Sequence, residues 1–217
     1  MEATLTQRFY DRISHVYDLI ADGGEHEARE RGLSVLNVKS GESVLEVGYG
    51  TGHSIVALSN AVGVHGRVTG IDISPGMQKV AQKRVTEADL QAHVELLVGD
   101  VPPISVDDNS QDVVTTSFTL ELFPLETIPT VLQEIRRVLK LSGRFGLVSM
   151  ATVTVSEPES VMEKTYKWMH THFPHIVDCQ PINAEQLVKD AGFKIVHSER
   201  YDLFTMPVAI LVATASN

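Results

Sequence analysis

Val44-Leu45-Glu46-Val47-Gly48-Tyr49-Gly50-Thr51-Gly52 is the stretch on which the reading of this chain turns. An apolar, β-prone run ends in a carboxylate, glycine then takes every second position, and the spacing predicts a helix from His53. A strand feeding a turn of this kind lets the backbone approach a ligand closely, because glycine has no Cβ in the way. Twenty residues beyond Gly52, a second apolar run from Val68 to Ile71 ends in Asp72, placed to accept hydrogen bonds from ribose hydroxyls. The two features read as a nucleoside site on a βαβ unit.

The glycine register narrows the nucleoside. Dinucleotide loops carry G-x-G-x-x-G and turn a helix N-terminus toward a pyrophosphate. Here the glycines fall as G-x-G-x-G, and Glu46 stands two residues before the first. A carboxylate there repels a pyrophosphate and suits the ammonium of an amino-acid moiety. S-adenosylmethionine (SAM) carries both a ribose and an α-amino acid. A phosphate-binding P-loop is excluded, since no Gly-Lys-Ser/Thr occurs. A glycine-rich turn without a ligand is the plainer alternative, and Asp72 at the end of the next strand weighs against it.

Val44 to Gly52 resembles the first motif of class I SAM-dependent methyltransferases, E-x-G-x-G-x-G. Gly70-Ile71-Asp72-Ile73-Ser74-Pro75-Gly76-Met77 is similar to their ribose-binding strand end and the helix after it. Gly99-Asp100-Val101, with Asp107 to Asp112 beyond, resembles the adenine-binding turn and the approach to strand four. Glu134 to Arg144 resembles the helix and turn before strand five. The nearest flavour is the small-molecule, UbiE-like (methyltransferase type 11) group that includes quinone-biosynthesis C-methyltransferases. Leu141-Ser142-Gly143 departs from the common Lys-Pro-Gly there, and Tyr49 replaces a residue that is usually small or cysteine.

The resemblance implies an α/β, doubly wound, seven-stranded Rossmann-like sheet in the order 3-2-1-4-5-7-6 with an antiparallel last strand. One domain over residues 1–217 is expected, with an N-terminal helical cap over 1–40 and a substrate lid over 153–181 inserted after strand five. SAM is then the cofactor and S-adenosylhomocysteine (SAH) the product. Its site comprises Glu46, Gly48, Tyr49, Gly50, Thr51 and Gly52 in the loop, with Asp72, Ile73 and Met77 after the second strand. Asp100 and Val101 follow the third strand, Ser117 and Phe118 end the fourth, and Tyr17 belongs to the cap. Asp72 also suits a helix N-terminus, Asp100 also suits a turn ahead of Pro102, and Tyr17 also suits core packing.

Periodicity marks the remaining elements. A helix is read from about Glu25 with charges on most faces, and another from Ser74 and Pro75 as N-cap and N1. Strands are expected at Ser43 to Val47, Val94 to Val98, Asp112 to Ser117 and Arg144 to Met150, the last entered through a turn at Gly143. A helix from about Glu126 presents Ile128, Val131, Leu132, Ile135 and Val138 on one face. A short helix over 183–191 and two strands over 193–201 and 206–214 close the chain.

Composition bounds the partners. A formal charge of −10 without a basic run longer than Arg136-Arg137 argues against a nucleic-acid substrate. The longest apolar stretch, Val208 to Ala213, is too short to span a bilayer. Met1 to Asp18 lacks the apolar core of a signal peptide. A single cysteine, Cys179, fits a reducing cytoplasm and argues against arsenic-methylating relatives, which need several thiols. The sequence leaves oligomeric state open, a homodimer included.

The expected acceptor is a small, partly apolar molecule: a quinone precursor, phenol, lipid headgroup amine or thiol. Ser117-Phe118-Thr119-Leu120 stands where nucleobase and glutamine methyltransferases carry Asn/Asp-Pro-Pro-Tyr, which disfavours that class. Glu121 and His53 are the candidate proton acceptors. Tyr10, Leu122, Phe123, Tyr166, Trp168 and His170 are the candidate acceptor-binding residues. His170, His172 and His175 do not share one helical face and have no adjacent acidic or cysteine ligand, so no metal site is expected. A non-catalytic SAM-binding scaffold on the same fold is the alternative function.

Overall fold

A computed structural model describes residues 25–152, 181–203 and 206–215. Seven strands form one sheet in the order β3-β2-β1-β4-β5-β7-β6. They are β1 (Ser43–Val47), β2 (Arg67–Asp72), β3 (Val94–Val98), β4 (Gln111–Ser117), β5 (Leu139–Met150), β6 (Phe193–Leu203) and β7 (Met206–Ala215). The first five pair in parallel, and β7 runs antiparallel to both β5 and β6. The Rossmann-like topology expected from the resemblance is therefore present.

β1 lies in the middle of the parallel block, paired with β2 on one side and β4 on the other. Both its faces are covered, which is why it reads as a continuous apolar run rather than an alternating one. Leu45 and Val47 pack into the core beneath α4 (Ile128–Val138) and α5 (Ala184–Asp190). Val44 faces the opposite layer, with Ile55 and Leu58 of α2 (His53–Val62) and Ala81 and Val85 of α3 (Pro75–Glu87). The apolar stripe of α4 is Ile128, Val131, Leu132, Ile135 and Val138, all buried. Ser74 caps α3 by accepting from Met77 N at 3.1 Å.

α1 (Glu25–Leu36) is the least obvious element, because its charges leave it weakly amphipathic. It docks through a narrow stripe, Ala28, Gly32 and Leu36, spaced one turn apart. A Cβ on Gly32 would lie 2.3 Å from Val148 Cγ2, so glycine lets the helix backbone settle onto β5. Arg144 fastens its end, donating from Nε to Leu36 O at 2.7 Å while its Nη atoms pair with Glu42 at 2.8 Å.

Several boundaries differ from the sequence reading. β5 starts at Leu139, not Arg144, and Gly143 lies inside it. Gln111 pairs with Leu139 whereas Val113 already pairs with Arg144, so the expected turn is present as an irregularity within the strand. A Cβ on Gly143 would lie 2.9 Å from Lys140 O, which explains the glycine. β6 extends to Leu203, because pairing with β7 continues to Leu203 and Met206. α4 begins at Ile128, two residues later than read, with Pro129 in its first turn. Residues 1–24 and 153–180, which hold most of the expected cap and lid, lie outside the described residues.

Candidate functional site

The chain passes from β1 to β2 to β3 on one side, then crosses back to β4 on the other side of β1. Such a reversal leaves a crevice at the carboxyl ends of the strands, where open α/β sheets bind ligands. A cavity of about 460 Å³ occupies that place, a volume typical of small-molecule sites.

One wall is the β1 loop, from Glu46 through Thr51 with His53 and Ser54. Gly48, Gly50 and Gly52 have φ of +76°, +51° and +83°. A Cβ on Gly50 would meet nothing within 4 Å, so the loop keeps its face to the cavity clear. Gly52 does not line the cavity; a Cβ there would strike Ala81 Cβ at 2.8 Å, so its role is the packing of α2 on α3. Asp72 sits at the end of β2 and is fixed by two backbone donors. Gly50 N reaches Oδ2 at 2.8 Å and Ser74 N reaches Oδ1 at 2.9 Å. Asp72 therefore presents a fixed carboxylate to the cavity at the carboxyl end of β2, where the hydroxyls of a ribose would meet it.

Glu46 is 2% exposed, and burial raises its carboxyl to about 8. Ser54 and Arg29 pull it down again, and Asp72 pushes it further up. Its Oε2 is buried and has no hydrogen-bond partner among the described residues. An acceptor left in that state is costly unless a ligand supplies the donor. An orphaned carboxylate oxygen, the open space beside Gly50 and a fixed carboxylate at the neighbouring strand end fit the ammonium, methionine chain and ribose of SAM.

The second side of the cavity is less polar. Ile71, Ile73 and Met77 stand near Asp72, Asp100 and Val101 follow β3, Ser117 ends β4, and Phe118, Leu122 and Phe123 follow it. Phe118 has φ +50°, a strained conformation for a bulky residue. Its N–H donates to Val148 O at 2.8 Å.

The sequence-derived candidates separate in this geometry. Apart from Gly52, the cofactor candidates that are described all line the cavity, as do His53, Leu122 and Phe123. Glu121 does not. It is 1% exposed in a turn of 3-10 helix (Leu120–Leu122), its Oε1 accepting from Met150 N at 2.8 Å and its Oε2 from Ser149 Oγ at 3.0 Å. Burial raises its carboxyl to about 7. Its position corrects the reading as a proton acceptor, because the carboxyl is buried, does not line the cavity and is tied to the end of β5. Tyr49 lines the cavity and is also part of the core. Its ring is buried over Gly70, where a Cβ would come within 2.6 Å of Cδ1, and its hydroxyl donates to Leu97 O at 3.2 Å. The ring thus belongs to the core beneath β2 and β3, where only glycine at position 70 leaves room. Tyr10, Tyr17, Tyr166, Trp168 and His170, with the histidines at 172 and 175, lie outside the described residues.

Sequence reasoning passed over Glu25, Arg29, Ser54, Thr119 and Thr127, which also line the cavity. Glu25 and Arg29 sit one turn apart on α1, and an acid in a first helical turn reads as an ordinary dipole partner. Burial raises the Glu25 carboxyl to about 7 against the pull of Arg29. Among the described residues, no cluster of His, Cys, Asp or Glu suits a metal ion, and no helix is long and apolar enough to cross a membrane.

Residues 2–179 match the model of the ubiE/COQ5 methyltransferase family. A demethylmenaquinone methyltransferase of Lactobacillus johnsonii is 34% identical over 67% of this chain and 60% of its own length. The chain therefore spans about three fifths of that relative. A demethylmenaquinone methyltransferase of Listeria monocytogenes is 31% identical over 75% of this chain and 69% of its own. Among solved structures, a SAM-dependent methyltransferase from Aquifex aeolicus superposes with a TM-score of 0.64, at 22% identity, over 86% of this chain and 89% of that one. That likeness concerns the fold. On its sequence, the chain belongs to the ubiE/COQ5 family of SAM-dependent methyltransferases.

Proposed function

We propose that this chain methylates a ring carbon of a hydroquinone, with SAM as the methyl donor. The observation that carries the reading is the division of one cavity into a polar end around Glu46 and Asp72 and an apolar side formed by Phe118, Leu122 and Phe123. Its curated relatives named above are demethylmenaquinone methyltransferases, which supports an aromatic acceptor.

When bound, SAM supplies an electrophilic methyl on a positively charged sulfur. The chain's own contribution is placement and exclusion of water. Glu46 and Asp72 hold the two ends of the donor, and the apolar side chains hold an aromatic ring flat and dry. A hydroquinone carbon would become nucleophilic when the ring hydroxyl gives up its proton, and once methylated it would lose its own hydrogen as a proton, restoring the aromatic ring. His53, at the start of α2 and on the cavity wall, is the residue we assign to receive it. Glu121 is excluded from that role because it is buried and does not line the cavity.

The test is turnover of methyl-labelled SAM on a reduced naphthohydroquinone, a catechol, a primary amine and a thiol, with products located by mass spectrometry and NMR. Label on a ring carbon of the naphthohydroquinone is expected, and His53→Asn should lower kcat by about 10²- to 10⁴-fold while SAH affinity holds. Label confined to oxygen, nitrogen or sulfur acceptors overturns the acceptor assignment. SAH binding without transfer to any acceptor favours a scaffold instead.

A further inference from the structure

The polar end of the cavity contains a second orphan. Arg29 Nε is buried and has no partner among the described residues, in the same cavity as the unpartnered Oε2 of Glu46. Among the described residues its guanidinium meets a neighbour on the same helix, Nη2 lying 3.2 Å from His26 Nδ1. Arg29 is close enough to pull down the carboxyls of both Glu25 and Glu46, yet no ion pair joins it to either among the described residues. One cavity end therefore presents an acceptor without a donor beside a donor without an acceptor.

That arrangement selects a ligand chemistry. A phosphate or other plain anion would meet Glu46, and a plain cation would meet Arg29. A zwitterion with ammonium and carboxylate on one carbon satisfies both, replacing two unmet buried groups by two charge-assisted hydrogen-bonded pairs. A planar guanidinium matches a carboxylate in geometry as well as charge. From this pairing we infer that Arg29 binds the α-carboxylate of the cofactor's amino-acid end while Glu46 binds its α-ammonium. The inference rests on SAM being the donor and assigns a binding role to α1, which lies outside the glycine-loop motif. α1 is positioned for it: Gly32 and Ala28 seat the helix on the sheet, and Arg144 holds its last carbonyls. With Arg29 one turn before Gly32, the docking stripe also sets where the guanidinium enters the cavity.

Ligand truncation tests this without turnover. Calorimetric titrations of wild type, Arg29→Leu, Arg29→Lys and Glu46→Gln are compared for three ligands. They are SAH, decarboxylated SAH, which keeps the ammonium alone, and 5′-methylthioadenosine, which has neither group. Arg29→Leu should weaken SAH by about 10- to 100-fold and leave the other two within about twofold. Arg29→Lys should recover part of that loss. Glu46→Gln should weaken SAH and decarboxylated SAH and spare methylthioadenosine, whose binding also reports that each variant is folded. Equal losses for all three ligands in both Arg29 variants, or no loss for any, overturn the carboxylate assignment while the cofactor reading stands. Failure of wild type to bind any of the three overturns both.

Discussion

Glu46 shows how one residue can serve binding at the expense of stability. Its carboxyl stands at about 8 in the folded chain against an ordinary 4.5, so the folded state favours the protonated form. The resulting penalty is absent below about pH 4.5, grows as pH rises toward 8, and is complete above it. Glu46→Gln should therefore melt higher than wild type at pH 8 in the absence of ligand, and the two should converge near pH 4.5. Thermal melts across that range check it, and a wild type that gains relative to the variant as pH rises contradicts it. An ammonium beside Glu46 favours the charged carboxylate, so binding of SAH at pH 7 should release a proton that Glu46→Gln does not release. Titrations in buffers of different ionisation enthalpy read that difference. Tyr49 and Glu121 show the converse case. Both look like site residues by position, and each turns out to spend its polar atoms inside the fold.

At the scale of elements, α1 carries the largest consequence per residue. Its exposed pair Arg31–Glu199 at 2.8 Å contributes little, as surface ion pairs do. Its seat on β5 depends instead on Gly32. Alanine or valine in a helix ordinarily avoids the conformational cost of glycine, about 1 kcal/mol for alanine. Here a Cβ would start 2.3 Å from Val148 Cγ2, and the clash outweighs that gain. Gly32→Val should destabilise the chain by about 1–3 kcal/mol, by overpacking. It should also weaken SAH binding more than methylthioadenosine binding, because Arg29 moves with the helix. Denaturant melts and the same titrations check it, and a variant as stable as wild type would mean that α1 does not rest on β5 as described. Elements with strong periodicity behaved as read: α4 buries its expected stripe, and β1 and β3 have the expected ends. Gly143 was legible as a break, but its effect on pairing was not, since register depends on the partner strand.

For the molecule as a whole, the crossing from β3 back to β4 brings five chain segments to one cavity, so a ligand there should stabilise all of them together. SAH at about 100 times its Kd should add about 2.7 kcal/mol to unfolding, read as a rise in Tm, and NADH should add none. A rise with NADH alone would contradict the cofactor. The amino-acid sequence by itself determined the donor and the sheet. Glycine spacing, a carboxylate ending each of two strands and the period of apolar residues act within a few residues of chain, where backbone sterics and hydrogen bonding are local. The tertiary structure decided which charged groups face the donor. It placed Glu25 and Arg29 on the cavity wall, withdrew Glu121 to the end of β5, and turned the Tyr49 ring over Gly70. Those outcomes depend on contacts between segments tens of residues apart, where side-chain packing and desolvation decide which polar atoms remain without a partner.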